Sequence, residues 1–366
     1  MSGQDGSPAP RRGFALRPEG LIAGPAAARA LEAGAALLLT GGPLAFTACE
    51  IMAEAGRVVL PVAEARAWAA KAGLGDEMAA AIARVTASRP PFAGLTLDRP
   101  RIMGVVNVTP DSFSDGGDFA DTETAIARGL ALRQAGADIL DIGGESTRPG
   151  SEPLPVDVEL ARVLPVIEAL AEAGALVSVD TRRARVMAEA IAAGARIVND
   201  ITALAGDPES LGLVAKAGVS AVLMHMQGEP RSMQANPFYV EAPLDIRDYF
   251  VERLEACVTA GIPAERIAID PGIGFGKNDR HNIAILQGLG VFHELGVPIL
   301  LGVSRKSFIG RLSRKEPAKQ RLAGSLAGGL AGLDRGVQML RVHDVAETYQ
   351  AMAVWQALVC PVSSAP

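Results

Sequence analysis

The chain has 366 residues, room for one domain of roughly 250 residues and a smaller one beside it. A formal net charge of −6 and a pI near 5.4 argue against a nucleic-acid-binding surface, though a local basic pocket remains compatible. Cys49, Cys257 and Cys360 are far apart and odd in number, which excludes a disulfide framework or CxxC metal pattern and fits a reducing cytoplasm; no segment approaches the ~20 apolar residues that span a bilayer.

Residues 1–12 are mostly Gly, Ser, Pro, Gln and Arg and are expected to be disordered. The Arg11-Arg12 pair is followed by Arg17, Pro18 and Glu19, not by the apolar stretch of an export signal. Residues 13–97 are expected to form a small α/β extension and a linker. The predicted elements are a helix over Ala26–Ala33, a strand over Ala35–Thr40, a helix over Pro43–Ala55, a strand over Arg57–Val62, and helices over Ala63–Ala70 and Asp76–Val85. Gly41-Gly42-Pro43 punctuates the first strand-to-helix step. No cluster of titratable groups accompanies these elements, so a packing or interaction module is expected. Ser88–Gly94 carries two prolines and reads as a stiff linker.

From residue 98 to 366 the pattern changes. Short Val-, Ile- and Leu-rich runs alternate with Ala-, Leu- and Arg-rich helical stretches. The runs are Arg101–Val108, Ala137–Gly144, Ala175–Thr181, Ile197–Leu204, Ser220–Met226, Ile267–Ile273, Pro298–Ser304 and Val337–Asp344. Apolar runs of this length, bounded by Gly, Pro or Asp, are expected for parallel strands buried on both faces. Such β-α units predict an α/β (β/α)₈ TIM barrel, a fold that places its chemistry at the carboxyl ends of its strands.

Those ends carry Asn107, Asp141, Asp180, Asn199, Asp270, Lys306, Arg341 and His343. The first two runs lead into long Gly-, Pro- and Ser-rich loops, which can fold over a ligand. Asp180 and Asp270 follow aliphatic runs, where an unpaired carboxylate is very costly. They read as acceptors for the N–H edge of a planar heterocycle, or as structural partners of an arginine. Asn199 can both donate and accept. Period-two alternation puts Arg341 and His343 on one side of the last run. With Ser304-Arg305-Lys306-Ser307 at the end of the seventh, they predict an anionic phosphoryl subsite. Other motifs fail. Gly272-Ile-Gly-Phe-Gly-Lys277 lacks the Ser or Thr and the first Gly of a phosphate loop. The histidines have no metal-ligand spacing, no Gly-x-Ser-x-Gly elbow exists, and Met224-His225-Met226 reads as core lining, with Met224 a candidate ligand contact.

These segments together resemble the dihydropteroate synthase family. The matching stretches are Met103–Gly117, Asp141–Gly150, Ser178–Thr181, Val198–Ile201, Leu223–Gly228, Asp270–Asn278, Gly302–Ser307 and Arg341–Asp344, in the family's order over about residues 98–358. The resemblance implies condensation of 4-aminobenzoate with 6-hydroxymethyl-7,8-dihydropterin diphosphate, in folate biosynthesis. It implies Asp180, Asn199, Met224, Asp270 and Lys306 as the pterin site, and Asn107, Thr147, Arg341 and His343 at the diphosphate, with Asn107 touching Mg²⁺. It also implies Thr147, Arg148, Pro149, Phe275 and Ser307 as the aminobenzoate pocket, the target of sulfonamides. Asp115, Arg148 and Lys306 are the implied catalytic residues, and a cytoplasmic homodimer is expected. A pterin-dependent methyltransferase barrel would share the anchors but has no use for Ser-Thr-Arg-Pro-Gly or Ser-Arg-Lys-Ser. A non-catalytic homologue would be expected to have lost some of Asn107, Arg148, Lys306 or Arg341. Ile273 departs from the pattern, since many members carry a second aromatic there; a modest packing effect is expected.

Overall fold

The computed structural model describes residues 13–54, 56–108, 117–145, 154–229 and 231–360, with backbone alone over 117–121. The disorder expected for residues 1–12 lies outside the described residues.

The extension runs β1 (Phe14–Ala23), α1 (Gly24–Glu32), β2 (Leu37–Leu38), β3 (Leu44–Ala53), β4 (Gly56–Pro61), α2 (Val62–Lys71) and α3 (Gly75–Thr86). Two expectations fail here. Pro43–Ala55 is not a helix but contains the central strand β3, which pairs antiparallel with β1, β2 and β4. Its letters, Leu-Ala-Phe-Thr-Ala-Cys-Glu-Ile-Met-Ala, include good helix formers. The ladders on both sides and the burial of Phe46, Cys49 and Ile51 override that weak preference. Strand β1 was unforeseen because Pro18 and Gly20 interrupt it. It lies at the sheet edge, where a residue without an N–H is tolerated.

The barrel follows as β5 (Arg101–Asn107), α4 (Gly117–Gln134), β6 (Ile139–Gly143), α5 (Val156–Glu172), β7 (Val177–Asp180), α6 (Ala184–Ala192), β8 (Ile197–Asp200), α7 (Ser210–Ala217) and β9 (Ser220–Met224). It continues with α8 (Ala242–Thr259), β10 (Ile267–Asp270), α9 (Asp279–Gly288), a 3₁₀ segment (Leu289–Leu295), β11 (Leu300–Leu301), α10 (Ser307–Leu312), α11 (Leu322–Leu333), β12 (Met339–Val342) and α12 (Val345–Val359). Among the described residues, eight strands form one sheet in the order β10-β9-β8-β7-β6-β5-β12-β11. A parallel bridge between Ile269 and Ile299 closes the two ends into a barrel. The strands are shorter than the apolar runs that announced them, trimmed at the floor end in β6, β7, β11 and β12 as well as at the mouth.

The floor of the barrel is a plug of side chains from the first residues of its strands. Met103, Ile139, Ile197, Val222, Ala268, Leu300 and Met339 pack around Phe92, which is 0% exposed. Phe92 and Leu95 exchange backbone hydrogen bonds of 2.9 Å, so the proline-bearing stretch is a small closed turn inserted into the barrel, not a spacer.

The extension sits at this floor end. Glu294, buried in the 3₁₀ segment, accepts from the Leu16 backbone N–H at 2.7 Å and pairs with Arg247 of α8. Arg89 crosses from the end of α3 to the His293 carbonyl at 2.8 Å while also serving the Arg84 carbonyl, a basic cap on the helix's last turn. Leu16, Phe46 and Ile51 belong to the same apolar cluster as Val291 and Phe292, so one core runs through extension and barrel.

Candidate active site

The opposite end of the barrel collects the polar strand ends. Register puts Asn107 beside Gly143, Gly143 beside Asp180, and Asp180 beside Asn199; Asp270 lies beside Met224. A Cβ at Gly143 would lie 3.6 Å from that of Asp180, so a larger side chain there would crowd the carboxylate.

Asp141, in the middle of β6, is 0% exposed. Its Oδ2 accepts from Arg341 Nε at 2.6 Å and from Asn199 Nδ2 at 3.0 Å. The same guanidinium donates through Nη2 to Asp180 Oδ2 at 2.5 Å. The arginine expected at the diphosphate therefore binds two carboxylates across the barrel, and its Nη1 has no partner among the described residues. A planar donor fork is suited to this, and the pairing answers the cost of burying both acids. Burial pushes the Asp180 carboxyl up to about 7, against the pull of Arg341 and with the help of Asp141 and Glu159. Burial lowers Arg341, but the two carboxylates more than offset it, so the guanidinium is held charged.

Asn199 gives its amide N–H₂ to Asp141, which turns its carbonyl oxygen into the group available to a ligand. Asp270 accepts from the Gly272 N–H at 2.8 Å through one oxygen; the other lies against Gly302. Burial raises its pKa too. Lys306 lies with its Nζ 4.1 Å from the centroid of the Phe275 ring, a cation–π contact that fixes both. Burial brings this ammonium down to about 8, with Asp270 pulling the other way.

The loop after β10 is shaped by close backbone approaches. Gly272 and Gly276 have φ of +68° and +60°, and a Cβ on either would lie 2.0 Å from the His225 carbonyl or 2.3 Å from that of Gln227. No other residue fits there. The glycine pattern that mimicked a phosphate loop thus serves to wrap this turn over the end of β9. Lys277, 1% exposed, clamps it: its Nζ meets His225 Nδ1 at 2.9 Å, the His225 carbonyl at 3.1 Å and the Phe275 carbonyl at 2.9 Å. His225 is buried core, as expected, and Met224 is 4% exposed at the strand end beside Asp270.

On the far side of the mouth, Arg305 takes a left-handed backbone (φ 58°) and pairs with Asp344. Ser304 contacts the His343 ring at Nδ1, and Ser307 is exposed at the start of α10. Asn107 is half-buried at the rim, and its side chain has no partner among the described residues. Glu145 accepts from Leu154 N–H at 2.9 Å and from Arg183 at 3.0 Å, joining the two stems of the second loop. Asp115, Thr147, Arg148 and Pro149 lie outside the described residues. Sequence reasoning named Asp141 as a strand end but gave it no role, and it passed over Lys277. The available signal was the same in both: a charge inside an otherwise apolar or glycine-tight stretch, which demands a partner.

The mouth combines acceptors, an ammonium and an aromatic ring in a closed barrel, the makings of an enzyme that holds a flat heterocycle. Its sequence agrees: the profile of the family described as pterin binding enzyme matches residues 103–343. The dihydropteroate synthase of Escherichia coli (strain K12) is 45% identical over 264 residues, covering 72% of this chain and 93% of that protein. A structure of the Xanthomonas albilineans dihydropteroate synthase with 4-aminobenzoic acid is 49% identical, with a TM-score of 0.70 over 76% of this chain and 99% of that one. The Yersinia pestis dihydropteroate synthase in a sulfonamide drug complex is 45% identical, with a TM-score of 0.69 over 72% and 96%. The chain belongs to the pterin-binding enzymes and, within them, to the dihydropteroate synthase family.

Proposed function

We propose that this chain is a transferase that condenses 4-aminobenzoate with 6-hydroxymethyl-7,8-dihydropterin diphosphate, forming 7,8-dihydropteroate and releasing diphosphate in folate biosynthesis. The observation that carries the reading is the acceptor set of Asp180, Asn199 Oδ1 and Asp270 around one barrel mouth. The guanidine-like edge of a pterin presents N–H and NH₂ donors, and three acceptors answer them. Lys306 supplies the matching donor for the ring's oxygen and nitrogen acceptors, and Met224 lines the ring's face. Arg341 pulls Asp180 toward its ionised form, against burial, and keeps its own Nη1 for the diphosphate side, where His343 also stands.

Bond breaking at the exocyclic carbon leaves positive charge on an electron-rich dihydropterin and negative charge on diphosphate. The aromatic amine attacks as a neutral nucleophile, so no strong base is required, and positioning with electrostatics carries the reaction. The amine's ring rests beside Phe275 and Lys306, with its carboxylate toward Ser307. Thr147, Arg148 and Pro149 complete that pocket in this reading, and Asp115 lies on the loop that closes over it.

Among the described residues, no group of three His, Cys, Asp or Glu side chains could hold a metal alone. An Asn107 side chain with no partner among the described residues, at the rim, fits a hard cation that arrives on the substrate's phosphates and keeps its waters. Bound in this way, Mg²⁺ would neutralise charge on the leaving group. The apolar Val354 and Leu358 exposed on α12 support a homodimer. No helix among the described residues is long and apolar enough to cross a membrane, and the free cysteines suit the cytoplasm.

Diphosphate release that requires both substrates and Mg²⁺ is the test. A chain that binds pterin yet releases none would overturn the reading. Sulfonamides, as aminobenzoate mimics, are expected to compete with 4-aminobenzoate, and inhibition without competition would count against the Phe275 pocket.

A further inference from the structure

Ser304 follows β11 and is 6% exposed. Among the described residues its hydroxyl makes two contacts, both with His343: it accepts from the His343 backbone N–H at 3.1 Å and lies 3.0 Å from the ring Nδ1. A serine hydroxyl has one proton to give and lone pairs to receive. The backbone N–H is necessarily a donor, so the hydroxyl proton is available for Nδ1. Were Nδ1 to carry the hydrogen and donate to Oγ, a buried O–H would be left with no acceptor among the described residues. That arrangement is the more expensive one.

We infer that Ser304 is a positioning residue that holds His343 in its Nε2–H tautomer, so that a neutral imidazole presents a fixed N–H donor to the diphosphate. The inference rests on the placing of His343 at the diphosphate given above. Arg128 of α4 separately holds the backbone carbonyl of His343 at 2.9 Å. The charges that face it come from every side: Arg341 on its own strand, Arg305 and Lys306 from the turn after β11, and Asp344 next in sequence. Burial first, then Arg341 and Arg305, drive the imidazole down to about 3, and Asp344 is already engaged by Arg305. A neutral imidazole has only one donor nitrogen. If that were Nδ1, the Nε2 lone pair would face phosphate oxygens and repel them. The Nε2 atom makes no hydrogen bond among the described residues, so it is the nitrogen left for a ligand.

The chain has four histidines, which makes nitrogen NMR of the ¹⁵N-histidine-labelled full-length protein practical. The His343 ring is expected to show a protonated Nε2 and a bare Nδ1 in the wild-type chain, a result that depends on no variant. Ser304→Ala should give mixed tautomers and lower kcat/KM for the dihydropterin diphosphate roughly 10- to 100-fold, as expected for losing an oriented bond to an anion. Affinity for the pterin alcohol, which lacks diphosphate, and KM for 4-aminobenzoate should stay unchanged, and Ser304→Thr should restore tautomer and rate. A protonated Nδ1 in the wild type, a wild-type tautomer in Ser304→Ala, or an equal loss of pterin-alcohol affinity would each overturn the inference. A wild-type chain that releases no diphosphate would instead remove the functional reading, with the NMR still deciding the tautomer.

Discussion

Arg341 is bound more tightly into the site than a diphosphate clamp needs to be. Its contacts to Asp141 and Asp180 make it the counter-charge for two buried acids, so its loss should reach the pterin as well as the phosphates. Arg341→Ala is expected to weaken the pterin alcohol as well as the diphosphate form, with the larger loss in the second. Asp270→Asn should weaken both forms equally, by about 1.5–3 kcal/mol, since it removes a charged acceptor on the ring side only. Calorimetry with the two ligands separates the cases. An unchanged pterin-alcohol affinity in Arg341→Ala would show that Asp141 and Asp180 do not depend on the guanidinium.

At the scale of elements, the turn after β10 is an exchange of charge for shape. Lys277 is buried without a carboxylate in hydrogen-bond reach among the described residues, and burial lowers its pKa well below the usual lysine range, only partly opposed by Asp270. Its three acceptors explain its place: it ties the Phe275 carbonyl to the end of β9. Lys277→Met is expected to change stability by only about 1–2 kcal/mol, because the cost of burying an ammonium disappears with its hydrogen bonds. KM for 4-aminobenzoate should rise, since the Phe275 ring loses its anchor. A rise confined to the pterin substrate would place the clamp's role elsewhere. The barrel floor offers a contrast. Phe92→Ala should lower stability by about 3–5 kcal/mol, read from a denaturant midpoint, and leave both KM values alone, because the plug lies at the end opposite the mouth. We propose that a fragment starting at residue 98 carries the same loss, and that one starting at residue 88 escapes it.

These elements also mark what the sequence makes legible. Asp180, Asn199, Asp270, Arg341 and His343 stand out because each ends an apolar run, and a buried strand permits a polar residue there only with a partner or a ligand. Their partners are another matter. Asp141 and Arg341 are 200 residues apart, and nothing local tells that one answers the other. The same holds for β3, whose helix-forming letters are overruled by ladders to β2 and β4, which the pattern revealed, and to β1, which it did not. Phe92 was hidden by its prolines, which announce a rigid turn but not where that turn inserts.

Over the whole molecule, the junction of extension and barrel is built from buried polar groups, and this gives it a sensitivity to acid. His293 is fully buried there; its Nε2 donates to the Arg335 carbonyl at 2.7 Å and its carbonyl receives Arg89. Burial, then the Arg89 charge, lowers its pKa from 6.5 to about 3. Between those values the unfolded chain binds a proton that the native chain does not. The stabilisation is therefore complete above pH 6.5 and is lost as pH falls toward 3. At its fullest it is on the order of 5 kcal/mol. His225 and His343, also lowered by burial, act with the same sign. Buried acids such as Glu294 and Asp270, raised by burial, act against it over the carboxylate range. A wild-type pH profile alone thus mixes opposing contributions, and a variant isolates one of them. His293→Gln, which keeps an amide donor for the Arg335 carbonyl and cannot titrate, should lose less stability than the wild type between about pH 7 and pH 5. Urea midpoints across that interval are the measurement. Parallel profiles for the two proteins would mean that His293 is not held neutral and that the junction does not govern the acid response.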